Sequence, residues 1–146
     1  MARVKIKFPE EKPLITVSIP VRISDINYGG HVGNDSLLTI IHEARMMLLG
    51  SGGHTEMKAA GTSLIMADVM IAYKGEAFYN DILDIDIYAE EFTNASFSLL
   101  YKLTTARNGI SLPVADCKTG MVCYNYDIKK IDAVTADLKL FLTGKL

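Results

Sequence analysis

A loop close to the start of the chain carries the side chains best suited to chemistry. Residues 24–33 read Ser-Asp-Ile-Asn-Tyr-Gly-Gly-His-Val-Gly, which places a carboxylate, Asp25, and an imidazole, His31, in one glycine-rich segment. Both groups can exchange a proton, and a carboxylate can also act as a nucleophile. The structural alternative is equally simple: Asp25 caps the loop, and His31 forms hydrogen bonds to the loop backbone.

The other histidines and the cysteines form no site that the sequence supports. His42, His54 and Glu56 lack the His-Glu-x-x-His pattern and have no cysteine at zinc spacing, so no metal is expected. Cys117 and Cys123 fall on one face of a predicted strand, too far apart for an easy disulfide. We therefore expect two reduced cysteines in a cytoplasmic protein.

The loop leads into a predicted helix. Asn34, Asp35 and Ser36 offer N-cap chemistry. The first amide groups of a helix lack intrahelical acceptors and lie at its positive dipole end, so they are donors beside the loop. Glycines in 50–53 are expected to end the helix. Its apolar residues recur at helical spacing and predict a deeply buried helix: Leu37, Ile40, Ile41, Ala44 and Leu48, widened by Leu38, Met47 and Leu49.

Hydrophobic patterns predict strands on both sides of this helix. Residues 14–23 are β-rich, and the nearly all-apolar run 63–73 is typical of a central strand covered on both faces. Segments 83–87 and 97–104 alternate between apolar and polar residues, which indicates one solvated face. A further strand at 114–126 follows the turn signal Asn-Gly at 108–109, and a short helix is expected near 135–142.

This order of elements predicts an α+β fold. Short connections favour antiparallel pairing, and one antiparallel sheet wrapped around one apolar helix buries the helix stripe. That arrangement is the hotdog fold. At 146 residues the chain suits a single domain, 1–146, with no internal repeat or linker.

Composition excludes several classes of protein. Fifteen basic and 17 acidic residues give a formal net charge of -2, and the charges are mixed along the chain, which argues against a nucleic-acid binder. A small basic rim for the phosphates of a ligand such as coenzyme A remains compatible with this balance. No apolar stretch approaches the length of a membrane span, and the first residues lack a signal-peptide core.

The loop and helix together resemble the signature of the 4-hydroxybenzoyl-CoA thioesterase family of hotdog proteins. The signature comprises Arg22, the shortly following Asp25, the Gly-His-Val step at 30–32, Asn34 at the helix start and Glu-Ala-Arg at 43–45. Later segments of the family are similar to Ile71-Ala72-Tyr73-Lys74, Asp81-Ile82-Leu83 and Ser96-Phe97-Ser98-Leu99, so the resemblance spans roughly residues 13–142.

The resemblance implies hydrolysis of an acyl thioester. The catalytic aspartate of the family maps onto Asp25, which would attack the carbonyl or deprotonate a water. His31 and Asn34 are expected to assist catalysis, although His31 equally suits loop bonding and Asn34 an N-cap. Helix-start amides of Val32, Gly33 or Asn34 would stabilise the oxyanion. Residues expected to contact the substrate are Tyr28, Gly30, Val32, Gly33 and Tyr73.

One position departs from the family pattern. Many relatives carry a second acidic residue two positions after the catalytic one, where this chain has Asn27. Asn27 can hold the loop by hydrogen bonds but cannot act as a base. Glu43 on the polar strip of the helix is kept in reserve, because a different subgroup of related enzymes uses a helix carboxylate. Its Glu-Ala-Arg context favours a structural bond.

The expected substrate is an acyl-CoA, with an acyl carrier protein thioester as the less favoured choice, and no cofactor is implied. The family resemblance places active sites at a subunit interface and so implies a homodimer or homotetramer. Two rivals remain. A non-catalytic acyl-thioester binding module shares the fold. A hotdog hydratase or dehydratase would need a differently placed acid–histidine pair, which the sequence does not show.

Overall fold

A computed structural model describes residues 3–144 of the chain. One antiparallel sheet runs in the order β1-β3-β4-β5-β2, with β6 paired to β5. A short 3-10 helix, Ile23–Asp25, follows β1. The strands are β1 (Ile15–Pro20), β2 (Ser63–Tyr73), β3 (Ile82–Glu90), β4 (Ser96–Arg107), β5 (Ile110–Asn125) and β6 (Lys130–Ile131), and the helices are α1 (Asn34–Ser51) and α2 (Ala136–Leu142).

Alternation along the strands divides the sheet into two faces. Leu83, Ile85 and Ile87 are fully buried, while the intervening Asp84 and Asp86 accept hydrogen bonds from hydroxyl groups of β1 on the other face. The β4–β5 turn contains two residues with positive φ, Asn108 at 54° and Gly109 at 77°. Such angles are typical of a tight hairpin. The antiparallel α+β fold and a strand within each predicted segment are therefore confirmed.

Helix α1 packs its apolar stripe into the core formed with the sheet. The stripe residues predicted from spacing are all buried, and so is Leu49, whereas Leu38 and Met47 are each 38% exposed. Arg45 also lies in this buried surface. The helix extends through Gly50 to Ser51, so the glycines end it slightly later than predicted.

Two predictions about the elements around the loop are wrong. The first strand ends at Pro20, because the chain then turns into the 3-10 helix. None of Asn34, Asp35 and Ser36 is the N-cap: Gly33 takes that position, no side chain caps the helix, and Asn34 is its first residue. By contrast, Thr135 caps α2 and accepts a hydrogen bond from Leu138.

Strand β2 corrects the prediction of a central strand covered on both faces. It is an edge strand, paired only with β5 within the described sheet. Met66 and Met70 are about two-fifths exposed, at 42% and 41%, and Val69 is 38% exposed. The hydrophobic pattern indicates the strand correctly but does not reveal that it lies at an edge. Among residues 3–144, no helix is both long and apolar enough to cross a membrane.

Candidate active site

The loop before α1 is held in place by backbone hydrogen bonds. Val21 donates to Asp81 and accepts from Asn80, which fixes the loop beside the segment between β2 and β3. Its two arms then pair through Ile26 and Val32. Tight pairing of this kind leaves a short exposed tip at residues 28–30 and directs the following residues to the start of α1.

The start of α1 opens into a cavity of about 250 Å³ between the helix and the end of β2. The cavity brings together five residues that the sequence predicted for the site: His31, Val32, Gly33, Asn34 and Tyr73. The rest of its wall is formed by Leu37, Gly75, Glu76, Ala77 and Val114. Tyr73 Oη donates to the Asn34 carbonyl at 3.3 Å, so the two sides of the cavity are in contact.

The three predicted oxyanion donors differ in availability. The Val32 amide donates to Ala77 O at 2.8 Å, and the Gly33 amide donates to Asp25 O at 3.0 Å. The Asn34 amide has no acceptor within residues 3–144. It stands at the positive end of an 18-residue helix. Asn34 therefore supplies the available donor, whereas the other two amides support the loop.

Within residues 3–144, one ring nitrogen of His31 has a hydrogen-bond partner and the other has none. Its Nδ1 lies 3.1 Å from the Val32 carbonyl. A carbonyl oxygen can only accept, so Nδ1 carries the proton in this bond and the neutral ring keeps a lone pair on Nε2. The ring is half-buried. His31 can thus accept a proton at Nε2, which faces Gly29 of the loop beside the cavity, while Nδ1 holds the ring in position.

The main-chain carbonyl of Asp25 contacts the cavity residue Gly33. The Asp25 side chain, however, lines a different groove. The side chain is buried and accepts a hydrogen bond from the Arg22 amide at 2.8 Å. The Arg22 guanidinium lies 3.3 Å from Asp25 Oδ1, and this carboxylate raises the pKa of Arg22. The groove, of about 340 Å³, also contains Thr39 and Glu43.

The loop tip stays outside both spaces. Tyr28 is fully exposed, and Gly30 sits at the turn with φ of 85°. Neither residue lines the cavity that contains His31. The Asn27 side chain accepts a hydrogen bond from the Gly29 amide at 2.9 Å. Asn27 therefore holds the loop, as the sequence predicted for an amide at this position.

The wall formed by residues 75–77 was missed by sequence reasoning. Arg107 fixes it by donating to the Glu76 carbonyl at 2.6 Å and to the Asp81 carboxylate. That bond to Arg107 lowers the pKa of Asp81. At Gly75 an added Cβ would lie 2.5 Å from Pro113 O, so only glycine fits. A glycine two residues after the end of a long strand was the one available signal for a close backbone approach.

The remaining histidines have structural surroundings. His42 Nε2 lies 2.5 Å from Glu56 Oε1, and His54 packs edge-on against Phe141. Over the described range, no three His, Cys, Asp or Glu side chains are grouped to hold a metal ion. Glu43 is exposed and contributes to none of the ion pairs of residues 3–144, whereas Arg45 pairs with Glu56.

Comparison with known proteins gives a family and a fold. The model of the thioesterase-like superfamily matches residues 21–142. No curated protein matches the sequence.

Solved structures of thioesterases share the architecture at low identity. A 1,4-dihydroxy-2-naphthoyl-CoA thioesterase from Synechocystis is 18% identical, with a TM-score of 0.76 over 88% of this chain and 94% of its own. A member of the thioesterase superfamily from Jannaschia is 17% identical, with a TM-score of 0.77 over 89% and 82%. A 4-hydroxybenzoyl-CoA thioesterase with an aspartate-to-asparagine substitution, in complex with 4-hydroxybenzoyl-CoA, is 17% identical, with a TM-score of 0.76 over 88% and 97%. These likenesses support the hotdog fold.

Proposed function

Because this chain belongs to the thioesterase-like superfamily, we propose that it hydrolyses an acyl-CoA to a free acid and coenzyme A. One observation carries the proposal: the cavity at the start of α1 places an available amide, Asn34, beside an imidazole with a free nitrogen, His31. These are the donor and the proton acceptor that acyl transfer to water requires.

The main-chain amide of Asn34 is the group that binds the thioester carbonyl. The carbonyl oxygen of the substrate accepts a hydrogen bond from the Asn34 N–H and lies at the positive end of the helix dipole. Negative charge grows on that oxygen as the carbonyl carbon is attacked, so the bond strengthens in the transition state. Tyr73 forms the opposite wall and holds the first turn of the helix through the Asn34 carbonyl.

Activation of the attacking group has two proposed routes. In the first, His31 Nε2 takes a proton from water, the water oxygen attacks the carbonyl carbon, and the carbon–sulfur bond breaks. The proton then passes from His31 to the departing thiolate. In the second, Asp25 acts as nucleophile or general base. The geometry favours His31, because the Asp25 carboxylate is bound to Arg22 and would first have to leave it.

The choice of coenzyme A as carrier draws on two structural relatives. Their names describe thioesterases for 1,4-dihydroxy-2-naphthoyl-CoA and 4-hydroxybenzoyl-CoA. We propose the same carrier here, and a cytoplasmic enzyme that needs no cofactor. A homodimer or homotetramer is part of the proposal: the free edge of β2 exposes Met66, Val69 and Met70, and it ends at Tyr73 on the cavity.

Thiol release from short, long and aromatic acyl-CoAs tests this function. Wild type is compared with Asp25→Asn and His31→Asn, and His54→Asn serves as the matched control outside the cavity. We expect turnover of at least one substrate by wild type and by the control. A loss on the order of 100-fold or more in one loop variant identifies the general base or nucleophile. Equal activity in all four proteins would refute both routes.

A non-catalytic binding module is the second candidate. Two observations favour it: the Asp25 carboxylate is held by Arg22, and the loop has Asn27 where many relatives have an acid. Calorimetry with an acyl-CoA separates the two candidates. Stoichiometric binding without thiol release at any pH from 6 to 9 would establish the binding module and exclude the hydrolase.

A further inference from the structure

A second cleft adjoins the cavity at the end of β2. Its volume is about 380 Å³, and it lies between the N-terminal segment and the outer side of the strand end. The lining residues are Arg3, Val4, Lys5, Ile6, Ala72, Tyr73, Lys74 and Asp116. Tyr73 lines both spaces, so the cleft and the cavity are neighbours around the free edge of the sheet.

The cleft concentrates positive charge in a chain whose net charge is -2. Three cations line it, Arg3, Lys5 and Lys74, against the single carboxylate of Asp116. That carboxylate is already paired with Lys74, Nζ to Oδ2, at 3.0 Å. Arg3 and Lys5 are exposed and take part in none of the ion pairs of the described residues. They are therefore available to an anionic ligand.

The N-terminal segment is anchored although it belongs to no strand. Phe8 packs against Tyr88, with ring centroids 5.4 Å apart, and Lys102 Nζ lies 5.6 Å above its ring. Ile6 is partly buried in the same run. This anchoring positions Arg3 and Lys5 over the end of β2. The segment therefore loses less conformational entropy when a phosphate binds to it.

We infer that Arg3, Lys5 and Lys74 bind the phosphate groups of coenzyme A while its thioester occupies the neighbouring cavity. The inference rests on the proposed function and adds the groups that recognise the carrier. Coenzyme A joins its thiol to a pyrophosphate and a 3′-phosphate through a long flexible arm, which can pass Tyr73 from the cavity to the cleft. Guanidinium and ammonium groups are the usual partners of such phosphates.

The test measures binding and specificity separately. The double variant Arg3→Glu/Lys5→Glu is compared with wild type and with Lys130→Glu, an exposed residue of β6 at the far end of β5. One readout is the Kd for adenosine 3′,5′-bisphosphate, which carries nucleotide phosphates of coenzyme A but no thioester. The other is the ratio of kcat/KM for an acyl-CoA to that for the same acyl group on N-acetylcysteamine, which has no phosphate.

We expect the double variant to raise the Kd for the nucleotide, and to lower the kcat/KM ratio, each on the order of tenfold relative to wild type. Both effects should become smaller at high salt, because salt screens the charges. Lys130→Glu should resemble wild type. Unchanged nucleotide affinity and an unchanged kcat/KM ratio in the double variant would overturn the inference. The inference would also be overturned if the double variant lost kcat/KM for an acyl carrier protein thioester but not for the acyl-CoA. If wild type hydrolyses neither thioester but binds the nucleotide through Arg3 and Lys5, the proposed function fails and the phosphate site stands.

Discussion

Tyr73 Oη donates a hydrogen bond to the main-chain carbonyl of Asn34 at 3.3 Å, and so joins the end of an edge strand to the first turn of the central helix. Asn34 supplies the amide assigned to the thioester carbonyl. Tyr73 is 50% exposed and belongs to a strand with a free side. The tyrosine therefore acts as a positioning residue at the point where the cavity meets the edge of the sheet.

Tyr73→Phe should affect turnover more than stability. The bond is solvent-exposed, so its loss should lower the free energy of unfolding by less than about 1 kcal/mol. The kcat for acyl-CoA hydrolysis should fall roughly 3- to 10-fold, because the helix start is no longer held against the opposite wall. Urea unfolding and thiol release are the measurements. Tyr79→Phe, an exposed tyrosine outside the cavity, is the control, and an equal loss in both variants would contradict the prediction.

Gly75→Ala should be strongly destabilising. The added Cβ would lie 2.5 Å from Pro113 O. A main-chain carbonyl in a paired strand can move only by distorting the sheet, which should cost about 1–3 kcal/mol. The distortion would also displace the cavity wall. Urea unfolding should therefore show a lower midpoint, and thiol release should decrease.

Gly50→Ala provides the matched control for that substitution. Gly50 belongs to α1, and apart from its chain neighbours and the nearby helix backbone, no atom of the described residues lies within 4 Å of the position that an added Cβ would take there. Alanine favours helix over glycine, so this variant should gain up to about 1 kcal/mol in unfolding free energy. If both glycine variants shift stability in the same direction, steric conflict with Pro113 is not the cause at Gly75.

Several strands could be predicted from local sequence, because the alternation of apolar and polar residues determined them. Alternation of Asp84 and Asp86 with apolar neighbours fixes both the strand and its buried face. The run 63–73 was harder, since hydrophobicity marks a strand but does not say which surface covers it. The sheet order leaves that strand at the edge.

The site was only partly predictable for a similar reason. Spacing placed Asp25 and His31 in one loop, but the direction of each side chain depends on local bonds. Arg22 draws the Asp25 carboxylate into the neighbouring groove, whereas Val32 holds the His31 ring in the cavity. Glu76 was missed because Arg107, distant in sequence, positions its segment.

A buried polar chain links the helix to the sheet and should contribute to stability. Arg45 Nη1 donates to Tyr101 Oη at 3.2 Å, and Tyr101 Oη lies 2.8 Å from Thr119 Oγ1. Either hydroxyl can donate in the bond between Tyr101 and Thr119, and Tyr101 Oη accepts from Arg45 in both cases. Burial raises the pKa of Tyr101, so the hydroxyl stays neutral.

Tyr101→Phe should lower the unfolding free energy by about 1–3 kcal/mol, because Arg45 loses its hydroxyl partner while remaining buried. Thr119→Val should cost less, since Tyr101 can still accept from Arg45. Guanidinium chloride unfolding of both single variants and the double variant gives the coupling energy. Additive effects would show that the two bonds do not form one network.

Both cysteines should resist modification in the folded protein. Cys117 is fully buried, and burial raises the pKa of its thiol to about 12. Burial also raises the pKa of Cys123. A thiol reagent acts on the thiolate, so neither residue should react at pH 8 until denaturant is added. Two thiols should then be counted per chain, and rapid reaction of the native protein would contradict the burial of β5.

The ion pair of Arg107 with Asp81 should make stability depend on pH in the acidic range. The bond to Arg107 lowers the pKa of Asp81 from its ordinary value of 3.8. A carboxylate whose pKa is lower in the folded state stabilises the fold above its unfolded value and loses this contribution as pH falls through the folded value. Arg107→Gln should therefore be less stable than wild type at pH 7, and the difference should shrink below about pH 4.

Urea unfolding of both proteins between pH 7 and pH 2.5 measures this difference. Lys118→Gln is the control, because Lys118 pairs with the exposed Glu91 and such pairs contribute little to stability. The difference between wild type and Lys118→Gln should be small at every pH. A difference for Arg107→Gln that stays constant down to pH 2.5 would mean that the ion pair does not account for the loss. The contacts of Arg107 that do not titrate would then account for it: the bond to the Glu76 carbonyl and packing over the Phe78 ring, whose centroid lies 4.8 Å from the guanidinium carbon. Arg107 would then hold the cavity wall at residues 75–77 without help from the charge of Asp81.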